Sequence, residues 1–197
     1  MYQDKYERWK TLVTLYVLGH IDLIFADESG FTMQPYLPYA WQKKGQAIRI
    51  FARNNSKRLN VFGLMSLAGH LTTYHTEKPI TAEFIKCLLE DFIAKKTDKP
   101  TVIVLDNGPV HHAKIVQECS PSWEEKNTYL FYLPTCSPYL NPIEILWRFI
   151  KYKWLNREHY KSWTSFKKRI LSIFSDYGNK YLINFNSLVK NNIISLT

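Results

Sequence analysis

Cysteine is scarce in this sequence and carries no pairing signal. The 197 residues hold three, Cys87, Cys119 and Cys136, widely spaced and without a CxxC pair. That pattern argues against a zinc site or a disulfide framework and suits a reducing compartment. Long apolar runs are missing too. No stretch approaches the roughly 20 residues needed to span a bilayer. The charged start MYQDKYERWK has no signal-peptide core. A cytoplasmic protein without a membrane partner is therefore expected. There is no internal repeat, low-complexity tract or Gly/Ser-rich linker, so a single domain over 1–197 is predicted. The GxxxxGKS/T phosphate loop, GxGxxG, GxSxG and HExxH are absent as well, which leaves ATP hydrolysis and serine-hydrolase chemistry unsupported.

Acidic residues are lacking altogether between Gly30 and Thr76, a segment that carries Lys43, Lys44, Arg49, Arg53, Lys57 and Arg58. A second block holds Arg148, Lys151, Lys153, Arg157, Lys161, Lys167, Lys168 and Arg169 against Glu158 alone. The formal charge is +9, from 26 basic and 17 acidic residues. Such an excess favours polyanions, nucleic acid first. Two one-sided blocks could neutralise phosphates on either side of a scissile bond, giving salt-sensitive and largely sequence-independent DNA binding. Tyr39 and Trp41, beside Lys43 and Lys44, could stack on an unpaired base, although core packing is the commoner use of such rings.

With 46% apolar and 15% aromatic residues, the chain can bury one sizeable core. A leading helix is predicted over 3–18, with Trp9, Leu12, Val13 and Tyr16 on one face. Residues 21–27 form a nearly continuous apolar run, as in a strand buried on both faces. The proline-bearing segment 31–41 reads as a loop or short edge strands. Residues 58–67 and 71–75 flank Ala68-Gly69-His70 as a hairpin. Thr81 can cap a helix to about residue 94, and 101–106 is a second buried strand. A helix beginning at Pro109 should carry His111 and His112, and 129–133 should form a fifth strand. Helices are expected over 141–155, 162–176 and 179–190. Strand, helix and strand in succession predict an α/β fold with one mixed sheet of about five strands flanked by helices.

Three acids stand out in that frame. Asp27 and Asp106 each end a buried apolar run, and active sites of open α/β sheets gather at the carboxyl ends of strands. Glu28 rivals Asp27, but adjacent strand residues face opposite ways. Glu144 opens the 141–155 helix. There it admits two readings: metal ligand, or partner of Asn141 in a capping box with Pro142 at the first helical position. Two carboxylates at strand ends and one on a helix suit hard divalent cations, which take oxygen ligands and support in-line phosphodiester chemistry. His111 is assigned a supporting or substrate-facing role, because hard oxygen chemistry does not require imidazole.

The segments IFADESGF, WQKKGQ, VFGLMSL, VIVLDNGPVHHA and YLPTCSPYLNPIEILWRFIK run in order through the chain. Together they resemble the catalytic domain of mariner-superfamily transposases, in particular the bacterial insertion-sequence branch, the DDE superfamily endonucleases. The resemblance implies a ribonuclease H-like fold with a core over about 20–155 and a basic helical extension over about 156–197. It implies a catalytic triad of Asp27, Asp106 and Glu144 holding two Mg2+ ions, for which Mn2+ can substitute, with Asn107 and His111 supporting it. DNA contacts would fall to Lys43, Lys44, Arg53, Lys57, Arg58, Arg148, Lys151 and Lys153. The implied activity is DNA strand cleavage and strand transfer in cut-and-paste transposition, acting on transposon ends and target DNA. Paired helix-turn-helix domains precede the core in full-length relatives and are absent from this chain. A homodimer, or a separately encoded helix-turn-helix half, is then an expected partner. The alternatives are a non-catalytic DNA-binding remnant and a free-standing ribonuclease H-like nuclease.

Overall fold

A computed structural model of the chain describes residues 2–34, 43–46 and 57–185. Five strands form one sheet: β1 (Asp22–Thr32), β2 (Arg58–Ser66), β3 (Leu71–Thr76), β4 (Thr101–Leu105) and β5 (Thr128–Tyr132), in the order β3-β2-β1-β4-β5. The β1–β2 and β2–β3 pairs are antiparallel, whereas β4 runs parallel to both β1 and β5. Five α-helices flank the sheet: α1 (Tyr2–Val17), α2 (Ala82–Lys95), α3 (Lys114–Glu124), α4 (Ile143–Phe149) and α5 (Trp163–Ser175). The expected mixed α/β sheet is the one found. No helix among the described residues is long and apolar enough to cross a membrane.

The period-2 alternation of strand side chains divides the apolar residues between two helical layers. Leu23, Phe25 and Phe31 of β1, Val61 of β2 and Val104 of β4 face α1, α4 and α5, packing on Trp9, Ile143, Leu146, Trp147, Phe166 and Ile170. Ala26, Phe62, Leu64, Ile103 and Leu105 face α2 and α3, against Ile85, Leu89, Val116 and Trp123. The basic helix α5 is therefore part of the core, through Phe166, Ile170 and Ile173, all buried. Its start and that of α2 are fixed by hydroxyl caps. Thr81 Oγ1 accepts from the Phe84 N–H at 3.3 Å, and Ser162 Oγ accepts from Ser165 at 3.1 Å.

Four local expectations are corrected. The strand holding Asp27 does not end there: β2 pairs with β1 as far as Thr32↔Arg58, so the ladder carries the backbone five residues further. His111 and His112 lie in turns rather than in a helix. The Asp106 carboxylate accepts from Gly108 N at 2.8 Å, curling the chain after β4, and α3 starts only at Lys114. The helix over 141–155 is composite. Seven residues are α-helical and Ile150–Trp154 continues in wider π-helical turns, closed by Leu155 N donating to Ile150 O at 3.0 Å. Finally, no helix follows Ser175 among the described residues. Residues 176–180 turn, with an isolated bridge from Tyr177 to Tyr181, residues 182–185 are irregular, and 186–190 lie outside the described residues.

Candidate active site

Asp27 sits where the sheet changes partners. The parallel ladder between β1 and β4 ends at Phe25↔Val104, while Asp27 continues opposite Gly63 of β2. Beyond that fork the chain leaving β4 turns away, so Asp106 lies beside the opened edge of β1. Asp27 points toward α4, and its Oδ2 accepts from Trp147 Nε1 at 2.9 Å. Glu28 faces the other way, as strand alternation requires, and meets the buried His111 on the side of α2 and α3.

His111 ties the two strand ends together. Only 1% exposed, it places Nδ1 2.6 Å from Asp106 Oδ1 and Nε2 2.8 Å from Glu28 Oε2. The Asp106 contact is a hydrogen bond, and the Glu28 contact is a close charge pair. Burial alone would push the imidazole pKa down. The two carboxylates outweigh it and raise the pKa to about 10, so the ring is an imidazolium at neutral pH. Asp106 is correspondingly held below the usual carboxylate range, chiefly by the His111 hydrogen bond and, against burial, by the Gly108 N–H and the charges of His111 and His112. The neighbouring Asn107 braces the loop: its side chain donates to the Leu133 carbonyl and its Oδ1 lies 2.9 Å from His112 Nε2. His112 in turn stacks on Tyr132, ring centres 4.1 Å apart.

Glu144 lies on the first turn of α4, and the capping-box reading fails there. The helix start has no side-chain cap. The Asn141 amide, 1% exposed, reaches across instead to donate to the Ala26 carbonyl at 3.2 Å. That bond fixes the loop before α4 to β1, one residue before Asp27. Glu144 is left between two clefts. One, of about 280 Å³, is lined by Asp106, Asn107, Gly108, Asn141 and Glu144 among others. The other, of about 260 Å³, is lined by Asp27, Glu28, Glu144, Trp147, Arg148 and Lys151 with two more.

The four carboxylates repel one another through this space. Burial first, then Glu28, Glu144 and Asp106, push the Asp27 pKa up to about 8. Glu144 is also raised, by burial and by Asp106, with Arg148 and Lys151 opposing. Among the described residues no three His, Cys, Asp or Glu side chains form a closed group around a single ion. The donor chemistry nonetheless fits hard divalent cations: the groups converging here are carboxylates, and each aspartate is anchored through one oxygen, Oδ2 of Asp27 and Oδ1 of Asp106.

Several of the expected DNA contacts surround this site. Lys151 is half-buried beside Asp27 and Glu144, its amine 5.4 Å over the Phe31 ring. Burial and the nearby Arg58 lower its pKa. Arg148 and Lys153 are exposed on the same helical segment, bordering a groove with Ile145, Phe149 and Tyr152. Arg58 lays its guanidinium over Gly30, where an added Cβ would meet it at 2.1 Å. Lys57 is exposed at the start of β2, and Lys43 and Lys44 are exposed on a short turn. Arg53, Arg49, Tyr39 and Trp41 lie outside the described residues.

Sequence reasoning missed three participants. Trp147 reads as part of the apolar helix stripe, Asn141 as a cap and Glu28 as a competitor of Asp27. One signal was available for Trp147: Gly63 interrupts an otherwise apolar strand, and such a glycine often marks a close approach.

Comparison with known proteins agrees with this architecture. The DDE superfamily endonuclease family matches residues 22–167. An insertion element IS630 protein of 39 kDa from Shigella sonnei is 25% identical over 151 residues, covering 74% of this chain and 43% of its own length. Among solved structures, the Mos1 mariner paired end complex with Mn superposes with a TM-score of 0.65 at 17% identity, over 98% of this chain and 62% of that one. The isolated catalytic domain of Mos1 mariner transposase gives a TM-score of 0.54 at 15% identity, over 100% and 90% of the two chains. The fold is thus the ribonuclease H-like one of the Mos1 catalytic domain, and the chain spans less than half the length of the insertion-element relative. On the family match, which takes in all three acids, this chain belongs to the DDE superfamily endonucleases.

Proposed function

We propose that this chain is the catalytic domain of a DNA transposase, carrying out metal-dependent strand cleavage and strand transfer on transposon ends in the bacterial cytoplasm. The observation that supports the reading is that Glu144 of α4 lines two adjoining clefts, one with Asp106 after β4 and the other with Asp27 of β1, Arg148 and Lys151, and that Asp27 feels the charge of both other acids. Asp27, Asp106 and Glu144 would hold two divalent ions, Mg2+ or Mn2+. Bound there, the ions would supply Lewis-acid stabilisation of the attacking and leaving oxygens. Asp27 is suited to a shared position, because it feels the charge of both other acids.

The rest of the site orients these groups. His111 and the Gly108 N–H fix Asp106 through Oδ1. Asn141 fixes the approach of α4, and with it Glu144. Arg148, Lys151, Lys153, Lys57, Arg58, Lys43 and Lys44 supply positive charge for the phosphates flanking the scissile bond, and Arg53 adds to it in sequence. Water attacks the first phosphodiester and the freed 3′-hydroxyl attacks the target strand, so no nucleophilic side chain is required. A second copy of the chain, or a helix-turn-helix partner, would bring two DNA ends together. Purified protein should nick duplex DNA only with Mg2+ or Mn2+, and Asp106→Asn should abolish the nicking. Equal residual activity in mutant and wild type would remove the catalytic assignment.

A further inference from the structure

Trp147 is placed with more constraint than a core tryptophan needs. It is 4% exposed, and its ring is wedged edge-on between Phe31 of β1, at 6.1 Å and 78°, and Phe174 of α5, at 6.3 Å and 80°. Beneath it lies Gly63. A Cβ there would stand 2.7 Å from the Trp147 ring and 2.9 Å from Ile143 Cδ1, closer than real contacts allow. Gly63 is also the cross-strand partner of Asp27. The bare glycine therefore lets α4 settle onto β2 at the one register where the indole N–H emerges against the Asp27 carboxylate, 2.9 Å from Oδ2. A buried indole N–H needs an acceptor, and here the acceptor is a candidate metal ligand.

We propose that Trp147, seated on Gly63 and clamped by Phe31 and Phe174, is a positioning residue that fixes the Asp27 carboxylate for divalent-metal binding. The inference rests on the metal site proposed above. One carboxylate oxygen is held by the indole, which sets the ring of possible orientations to one and presents the other oxygen to the cleft. Partners that orient a metal ligand in this way typically matter by roughly 10–100-fold in metal affinity. The clamp also gives the basic helix α5 a part in the site, because Phe174 is one of its jaws.

The test measures Mn2+ binding to the full chain by calorimetry, with Tb3+ emission excited through tryptophan as a second readout. Trp147→Phe keeps an aromatic ring and deletes the donor. It should weaken Mn2+ binding about tenfold or more and remove most of the sensitised Tb3+ emission, with metal-free melting still cooperative. Gly63→Ala retains the donor but displaces it, and should weaken Mn2+ binding in the same direction. The double variant should bind no worse than Trp147→Phe alone, because both act through one contact. Unchanged Mn2+ affinity in either folded single variant, or additive losses in the double, overturns the proposal. A wild type that binds no Mn2+ sinks the metal reading itself, which is a different failure.

Discussion

Asp27 carries an electrostatic load that has a thermodynamic consequence. Its pKa is raised from 3.8 to about 8 in the folded protein, so between those values the native state holds a proton that the unfolded chain releases. By linkage, the contribution of Asp27 to stability falls as pH rises from about 4 to about 8. Metal-free protein should therefore melt at higher temperature as Asp27→Asn than as wild type at pH 8, with little difference at pH 4. Mg2+ or Mn2+ should raise the wild-type Tm more at pH 8 than at pH 6, since a ligand must be ionised to bind. Thermal melts across pH decide this, and an unchanged melting difference between pH 4 and pH 8 counts against it. His111 gives a second residue-level expectation. Glu28 and Asp106 together hold it charged, so Glu28→Gln should lower its pKa from about 10, as read by NMR titration of the ring. Nicking should fall about tenfold or more, as for other changes behind a metal ligand. Neither role is visible in sequence, where Glu28 is one acid of an adjacent pair and His111 one imidazole of another.

Elements decide which of these residues meet. Strand β4 was legible because Thr101–Leu105 is buried throughout, and Asp106 follows directly from where that run stops. Strand β1 was legible only in its first half. Beyond Phe25 the polar Asp27, Glu28 and Ser29 look like an exit, yet the antiparallel partner β2 holds them in the ladder. The start of α4 was ambiguous for a physical reason: Asn-Pro-x-Glu satisfies the chemistry of a cap whether or not the cap forms. The structure resolves it through Asn141, whose amide bonds to β1 instead of to its own helix. Asn141→Ala removes that bond and leaves the Ala26 carbonyl without this donor in a buried place. The cost should be about 1–3 kcal/mol of stability by chemical denaturation. Metal-dependent activity should drop as well, because Glu144 then loses its fixed approach to Asp27. A variant with full activity would show that the loop is held by other contacts.

At the scale of the molecule, a three-layer sandwich places a negative cluster beside exposed positive charge. Asp27, Glu28, Asp106 and Glu144 line the two clefts, while Arg148, Lys151 and Lys153 ride on α4 and its π-helical continuation. On the proposed function, such a surface would bind DNA mainly through phosphate neutralisation, so the logarithm of affinity should fall linearly with the logarithm of salt concentration. Replacing Arg148 or Lys153 by alanine should each reduce that slope by about one, weakening binding evenly across DNA sequences. A slope unchanged in both variants would move the DNA track elsewhere on the surface. The family match and the Mos1-like fold belong to this scale too: residues 22–167 take in all five strands, and the superposition runs over 98% of the chain.

The sequence by itself determined the mixed α/β sheet, the buried runs that lead to Asp27 and Asp106, and the excess of positive charge. These follow from patterns a few residues long, in which apolar period and burial are locally coded. Only the tertiary structure decided that Glu144 is not a cap, that His111 bridges Asp106 to Glu28, and that Trp147 reaches Asp27 over Gly63. Each of those contacts joins residues from separate elements, at distances set by how α4 and the chain after β4 dock on the sheet. Spacing along the chain does not encode that docking; complementary side-chain volume does, down to the one missing Cβ at Gly63.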